Sequence, residues 1–221
     1  MSRITLALSK GRILEDTLPM LTSLGMGPDG DIDRLLRVPS VDPNLQFLII
    51  RPADVPPYVE YGAADLGITG KDVLMEHGGE GLYEPLDLDI AGCRLSVAAV
   101  KGSAFDGPVA DIISAQKRRI RVATKYPEIT RRFFAERGEQ VELIKLYGSM
   151  ELAPLVGLAD LIVDLVDTGR TLAANGLVET EVICDISSRI VVNKAAMKTR
   201  NAAIRKLLAQ IAEAANLRAA A

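Results

Sequence analysis

The stretch VDLVDTGRTLAANGL, residues 163–177, places two carboxylates, two hydroxyls, a glycine and a guanidinium between positions 164 and 171: Asp164, Asp167, Thr168, Gly169, Arg170 and Thr171. It continues a run of valine and leucine. The run reads as a strand ending near Val166, and residues 168–171 then sit where a helix begins. The first N–H groups of a helix have no partner within it and face an anion readily. Gly169 lets a phosphate approach the backbone, and the two threonines add hydroxyl donors. Asp164 and Asp167 would repel that phosphate, so they must serve something else: the vicinal hydroxyls of a ribose, or a bound magnesium. A sugar carrying a 5-phosphate fits both halves of the motif. The plainer alternative is that Asp167 or Thr168 caps a helix and Gly169 eases the turn. The coincidence of two acids, two threonines and a glycine at one strand end favours the sugar phosphate.

A second group of candidates lies at other strand ends. ALSKGRILED (7–16) puts Lys10, Gly11 and Arg12 directly after the first apolar run, IIRPADVP (49–56) puts Arg51 after another, and ITGKDVL (68–74) puts Lys71 and Asp72 after a third. Open α/β sheets bind ligands beyond the carboxyl ends of their strands. Lys10, Arg12, Arg51 and Lys71 are therefore expected to converge and to create local positive charge. Each alone would be an ordinary solvated residue. His77, among glycines near a helix end, reads as a capping or exposed side chain rather than a catalytic one.

The elements that must position these residues alternate. Apolar runs at 4–8, 34–38, 47–50, 65–69, 95–100, 120–124, 141–146 and 160–166 read as strands. Residues 126–137 carry Pro127 near the start and Gly138 just beyond the end, the punctuation of a helix. Residues 195–218 form the longest helical run, and Pro19 should kink or restart the helix that follows Gly11. This alternation predicts an α/β fold with mainly parallel sheets. YVEYGAADLGITG (58–70) and LAPLVGLADLIVD (152–164) both run helix, Ala-Asp-Leu, strand, a weak internal repeat that suggests two related lobes. CRLSVAAVKGSAFDGP (93–108) reads as the crossing into the second lobe and VICDISSRIVVN (182–193) as the crossing back. The expected lobes are 1–92 with 184–221, and 93–183.

Composition excludes several classes. A net charge of -3 leaves no large basic footprint for nucleic acid. No apolar stretch approaches membrane-spanning length, and no leader of the secretory type is visible at the start. One histidine and two distant cysteines, Cys93 and Cys184, argue against a protein-held metal site and for a reducing cytoplasm. With no tryptophan and 4% aromatics, the core must be aliphatic.

LALSKGRILE, IIRPADVPPYVEYGAADLGITGKDVL, ATKYPEITRRFF, KLYGSMELAPLVGLADLIVDLVDTGRTLAANGL and ICDISSRIVVN, in this order, together resemble the ATP phosphoribosyltransferase family, which opens histidine biosynthesis. The resemblance covers nearly the whole chain. It implies two α/β lobes like a type II periplasmic binding protein, with the active site in the cleft. It implies the short form of the family, lacking a C-terminal regulatory domain and working in a hetero-octamer with a regulatory subunit related to histidyl-tRNA synthetase. The implied reaction joins ATP and 5-phosphoribosyl 1-diphosphate, with magnesium on the diphosphate, to give 1-(5-phosphoribosyl)-ATP. Thr168, Gly169, Arg170 and Thr171 would then hold the 5-phosphate and Asp164 and Asp167 the ribose hydroxyls. Lys10 and Glu151 would complete the phosphoribosyl diphosphate contacts, with Lys10 also on the nucleotide side. Arg12, helped by Arg34, would stabilise the leaving diphosphate, and Arg51, Lys71 and Asp72 would line the ATP site. Without the resemblance, a solute-binding protein of the same bilobal fold and a phosphoribosyltransferase for a free base both remain open.

Overall fold

A computed structural model describes residues 3–79, 81–116 and 118–219, with side chains up to residue 215. Met1 and Ser2, where a leader would begin, lie outside the described residues. The chain forms two compact units: residues 1–92 with 187–221, and residues 93–186. The return falls at Ser187 rather than at 184, because the tenth strand stays paired with the sixth as far as Ile186, which faces Cys93.

Unit one holds strands β1 (Ile4–Ser9), β2 (Arg37–Pro39), β3 (Leu45–Ile50), β4 (Leu66–Gly70) and β5 (Leu82–Asp87), with helices α1 (Arg12–Ser23), α2 (Val55–Glu60) and α3 (Lys71–His77). Unit two runs β6 (Cys93–Val100), α4 (Val109–Ala115), β7 (Arg121–Thr124), α5 (Pro127–Ala135), β8 (Glu142–Lys145), α6 (Leu152–Leu155), β9 (Leu161–Val166), α7 (Arg170–Ala174) and β10 (Leu177–Ile186). The chain then returns to unit one through β11 (Ser188–Asn193), α8 (Lys194–Thr199) and α9 (Asn201–Ala219). Among the described residues no helix is long and apolar enough to cross a membrane.

The sheets are mixed, not mainly parallel. Their orders are β2-β3-β1-β4-β11-β5 and β10-β6-β9-β7-β8. The pairs β3-β1, β1-β4, β9-β7 and β7-β8 are parallel; β2, β5, β6, β10 and β11 join by antiparallel ladders. The strands that carry the chain between units need no crossover helix, so they are free to enter antiparallel. The stretch 182–193 is accordingly the end of one long strand and the start of another. Three other expectations change. Residues 34–36 precede β2 instead of belonging to it, the alanine-rich run breaks at Arg200 into two helices, and α1 passes through Pro19 without restarting. Pro19 and Glu15, whose carbonyl loses its donor, both lie on the exposed face of α1, where water can take over.

Strand alternation builds the cores. In unit one, Leu6, Leu8, Phe47, Ile49, Leu66, Ile68, Ile190 and Val192 point to one face of the sheet, and α1 and α9 cover it with Met20, Leu21, Ile204 and Ile211. Ala7 and Val191 point to the other face, under Val55 and Val59 of α2. In unit two, Ala98, Ala123, Ile162 and Val166 form the face that packs on Met150, Ala153 and Leu172.

The internal repeat has a physical content. The N–H of Asp65 donates to the carbonyl of Thr5 while its carboxylate accepts the Thr5 N–H at 2.8 Å, and Arg200 binds the same carboxylate at 2.9 Å. The N–H of Asp160 donates to the carbonyl of Arg121, its carboxylate accepts the Arg121 N–H at 2.8 Å, and Arg118 binds it at 2.7 Å. In both units the aspartate before a strand staples it to the start of the neighbouring parallel strand. Burial alone would push the Asp160 carboxyl up. The hydrogen bonds from Arg118 and from the Arg121 N–H outweigh that effect and hold it below the usual carboxylate range.

Candidate functional site

In unit two, β9 ends at Val166 and α7 begins at Arg170, so the turn between them has only three residues. Gly169 is what allows it: φ is 74° and ψ is 1°, a left-handed conformation that a side chain disfavours. The N–H groups of Arg170, Thr171 and Leu172 open α7 and have no carbonyl within the helix to bond. Thr168, Arg170 and Thr171 are exposed, and the Arg170 Nε donates to the Thr168 hydroxyl at 3.1 Å. Asp164 occupies the core-facing row of β9 between Ile162 and Val166, and its carboxylate accepts the Leu165 N–H at 2.9 Å. These residues line a pocket of about 310 Å³ formed by 164–172 together with Glu151. Glu151 arrives from a different segment, past Ser149, whose φ of 54° turns the chain ahead of α6. The pocket thus combines amide and hydroxyl donors with carboxylates, groups suited to a phosphate and a diol.

Sequence reasoning missed the support beneath this loop. β6 runs antiparallel to β9, with Arg94 opposite Val166 and Ser96 opposite Asp164. Arg94 Nη1 therefore reaches the carbonyl oxygen of Asp167 at 2.9 Å. The other edge of the same guanidinium pairs with Glu179 of β10, with Nε to Oε1 at 2.7 Å, and the Ser96 hydroxyl donates to that oxygen at 3.0 Å. The hydrogen bond from Arg94 does most to hold the Glu179 carboxyl below its usual range; burial opposes it and Ser96 adds to it. The available signal was an arginine and a serine two apart on a strand that otherwise reads as apolar.

In unit one, β3, β1 and β4 are adjacent and parallel, so the residues after them share one edge of the sheet. Lys10, whose N–H donates to the Ile50 carbonyl, and Arg51 lie there side by side, and Lys71 and Asp72 open α3 at the next position along. Gly11, at φ 94°, turns the chain so that Arg12 begins α1 at the same edge. β2 runs antiparallel to β3, and the Ile49 N–H bonds the Leu36 carbonyl, so Arg34 lies near this edge too; its side chain is 87% exposed and paired with Asp31. Lys71 Nζ binds Glu84 at 2.6 Å, beside Arg189. Asp72 is buried, folded over Gly70. His77 pairs with Glu60 at 2.7 Å in the last turn of α3.

The fold and the loop define a two-unit α/β protein with, in one unit, a glycine turn at a helix start lined by hydroxyls and carboxylates. Its architecture matches the periplasmic aliphatic sulphonate binding protein SsuA from Escherichia coli with a TM-score of 0.61 at 15% identity, over all of this chain and 70% of that one, a likeness of fold alone. Residues 51–213 match the family described as HisG, ATP phosphoribosyltransferase. An ATP phosphoribosyltransferase of Methylococcus capsulatus is 59% identical over 98% of both chains, and one of Burkholderia cenocepacia is 58% identical over 93% of both. The solved ATP phosphoribosyl transferase (HisG:HisZ) complex from Thermotoga maritima superposes with a TM-score of 0.82 at 32% identity, over 96% of this chain and 98% of that one. The chain belongs to the ATP phosphoribosyltransferase family.

Proposed function

We propose that this chain transfers the phosphoribosyl group of 5-phosphoribosyl 1-diphosphate to N1 of ATP, releasing diphosphate and giving 1-(5-phosphoribosyl)-ATP, the first step of histidine biosynthesis. The observation that carries the reading is the pocket around Gly169, which a helix start, two threonines and two aspartates line together. Thr168, Thr171 and the amides of α7 hold the 5-phosphate, with Arg170 beside them; Asp164 and Asp167 accept hydrogen bonds from the ribose hydroxyls.

The nucleophile is a neutral ring nitrogen with a free lone pair and needs no strong base. The barrier lies at ribose C1, where positive charge grows as diphosphate departs. Catalysis therefore comes from placing N1 in line with C1 and from taking up the negative charge of the leaving group. Arg12, with Arg34, performs the second task, because a guanidinium meets diphosphate with two parallel hydrogen bonds. Lys10 and Glu151 complete the phosphoribosyl diphosphate contacts, and Arg51, Lys71 and Asp72 serve the nucleotide. Lys71 does so as one member of an ion pair, so its contribution is positional more than electrostatic.

A magnesium ion would come with the substrate and would supply charge neutralisation at its diphosphate. Among the described residues no three His, Cys, Asp or Glu side chains are grouped to hold a metal. A substrate-borne magnesium asks for only one or two carboxylates, and Asp164 and Asp167 lie in the pocket. The HisG:HisZ complex of the Thermotoga maritima protein supports a HisZ-type regulatory partner; a hetero-octamer in which histidine acts through that partner is the finer expectation of the family resemblance. A cytoplasmic location fits a biosynthetic enzyme that consumes ATP.

Turnover of purified protein with ATP, 5-phosphoribosyl 1-diphosphate and magnesium, read by absorbance and product mass, tests the reaction. Phosphoribosyl-ATP is expected, and chelating magnesium should abolish it. No product with or without a HisZ-type subunit would overturn this reading.

A further inference from the structure

Arg94 stands where three parts of unit two meet. It belongs to β6, it holds the Asp167 carbonyl at the first residue of the phosphate turn, and it pairs with Glu179 on β10. The two contacts use different edges of one planar guanidinium: Nη1 meets the Asp167 carbonyl, while Nε and Nη2 together meet Glu179. The side chains are shielded, Arg94 at 33% exposure and Glu179 at 21%. Ser96 fixes Glu179 from below, so the guanidinium is held in one orientation from the side away from the turn.

The turn spans the gap between Val166 and Leu172, both held in the core, and the Arg94 bond fixes a point between them. Gly169 is left-handed and has no Cβ, the Arg170–Thr168 contact is internal to it, and α7 is a helix of five residues. A donor on the carbonyl of Asp167 fixes the plane of the 167–168 peptide. It thereby sets the direction of the Thr168 N–H and the point from which the Asp167 side chain departs. The amides bind a phosphate well only when aimed in advance, since orienting them on binding consumes part of the interaction.

We infer that Arg94 is a positioning residue for the phosphoribosyl loop: held by Glu179 and Ser96, it anchors the Asp167 carbonyl and pre-aims the donors that receive the 5-phosphate. The inference rests on the reading of that loop given above. Arg94 itself does not touch the substrate. Its influence is therefore confined to the ribose-5-phosphate half of the molecule and leaves the diphosphate half alone.

Calorimetric titration of the purified full chain with three probes separates the roles. The probes are 5-phosphoribosyl 1-diphosphate with magnesium, ribose 5-phosphate, and inorganic diphosphate with magnesium. Arg94→Met should weaken the first two roughly ten- to hundred-fold, the range of a lost hydrogen bond to a charged donor, and leave the third within about two-fold. Arg94→Lys keeps the charge with a single donor head and should fall between. The double variant Arg94→Met/Glu179→Met leaves no unpaired carboxylate. If it recovers binding of ribose 5-phosphate, Arg94 only neutralises Glu179 and the positioning role is overturned. Equal weakening of all three probes, or an Arg94→Lys variant that melts far below the parent, would mean a general structural role and overturn it as well. Thr168→Ala is the control for the loop itself. If it weakens ribose 5-phosphate binding while Arg94→Met does not, the loop reading stands and this inference fails. If neither variant weakens it, the loop reading fails and takes the inference with it.

Discussion

Gly169 and Thr168 illustrate how much one position can decide. A Cβ at residue 169 would meet only a Val166 methyl at 4.0 Å, so space does not forbid a side chain there; the backbone does, at φ +74°. Gly169→Ala should therefore lower stability by about 1–2 kcal/mol through left-handed strain alone, without disturbing the core. Relaxation of that strain would rotate the amides of Arg170 and Thr171, so the KM for 5-phosphoribosyl 1-diphosphate should rise while that for ATP holds. Thr168→Ala should raise the same KM without the stability loss. Steady-state kinetics beside a urea melt distinguishes the two. Equal effects on both substrates would place the turn outside the phosphoribosyl site.

At the scale of elements, the aspartate staples tie each unit's parallel strands together. Asp160 is buried and accepts from Arg118 and the Arg121 N–H, and Asp65 accepts from Arg200 and the Thr5 N–H. Asp160→Asn removes the charge but keeps the shape, and its NH2 faces another donor whichever way the amide turns, Arg118 Nη2 or the Arg121 N–H. A loss of roughly 1–3 kcal/mol is expected, the penalty for an unsatisfied buried polar group. Asp65→Asn should behave alike in unit one. Denaturant melts of both variants give the comparison; a neutral Asp160→Asn would mean that the backbone ladder alone sets the β7–β9 register.

For the whole molecule, Asp160, Glu179 and Glu128, all in unit two, titrate below the ordinary carboxylate range because arginines hydrogen-bond them. A carboxylate with a depressed folded pKa contributes stability that is complete above its unfolded pKa and is lost as pH falls through the folded one. Stability should therefore be level from neutral pH down to about 5 and decline below about 4, the ordinary carboxylate value. Hydrogen exchange across that range should show peptides of unit two losing protection before those of unit one. Loss of unit one first would mean that other groups govern acid unfolding.

What could be read from the order of residues was whatever is local. The alternation of apolar runs, the proline and glycine marks around α5, and the strand–turn–helix of 163–177 all lie within a few positions of one another, and local periodicity reports such features directly. Five ordered motifs likewise carried the family. Tertiary structure decided the rest. Apolar periodicity does not mark β5, β10 and β11 as separate strands, because two-sided exposure along β5 and β10 blurs the alternation. Arg94 becomes the neighbour of Asp167, 73 positions away, only because β6 enters antiparallel beside β9. Lys71, expected as an open cation, is spoken for by Glu84 through the β4–β11–β5 stacking. Each is a pairing between distant segments, and no spacing within a single segment encodes which strands will lie side by side.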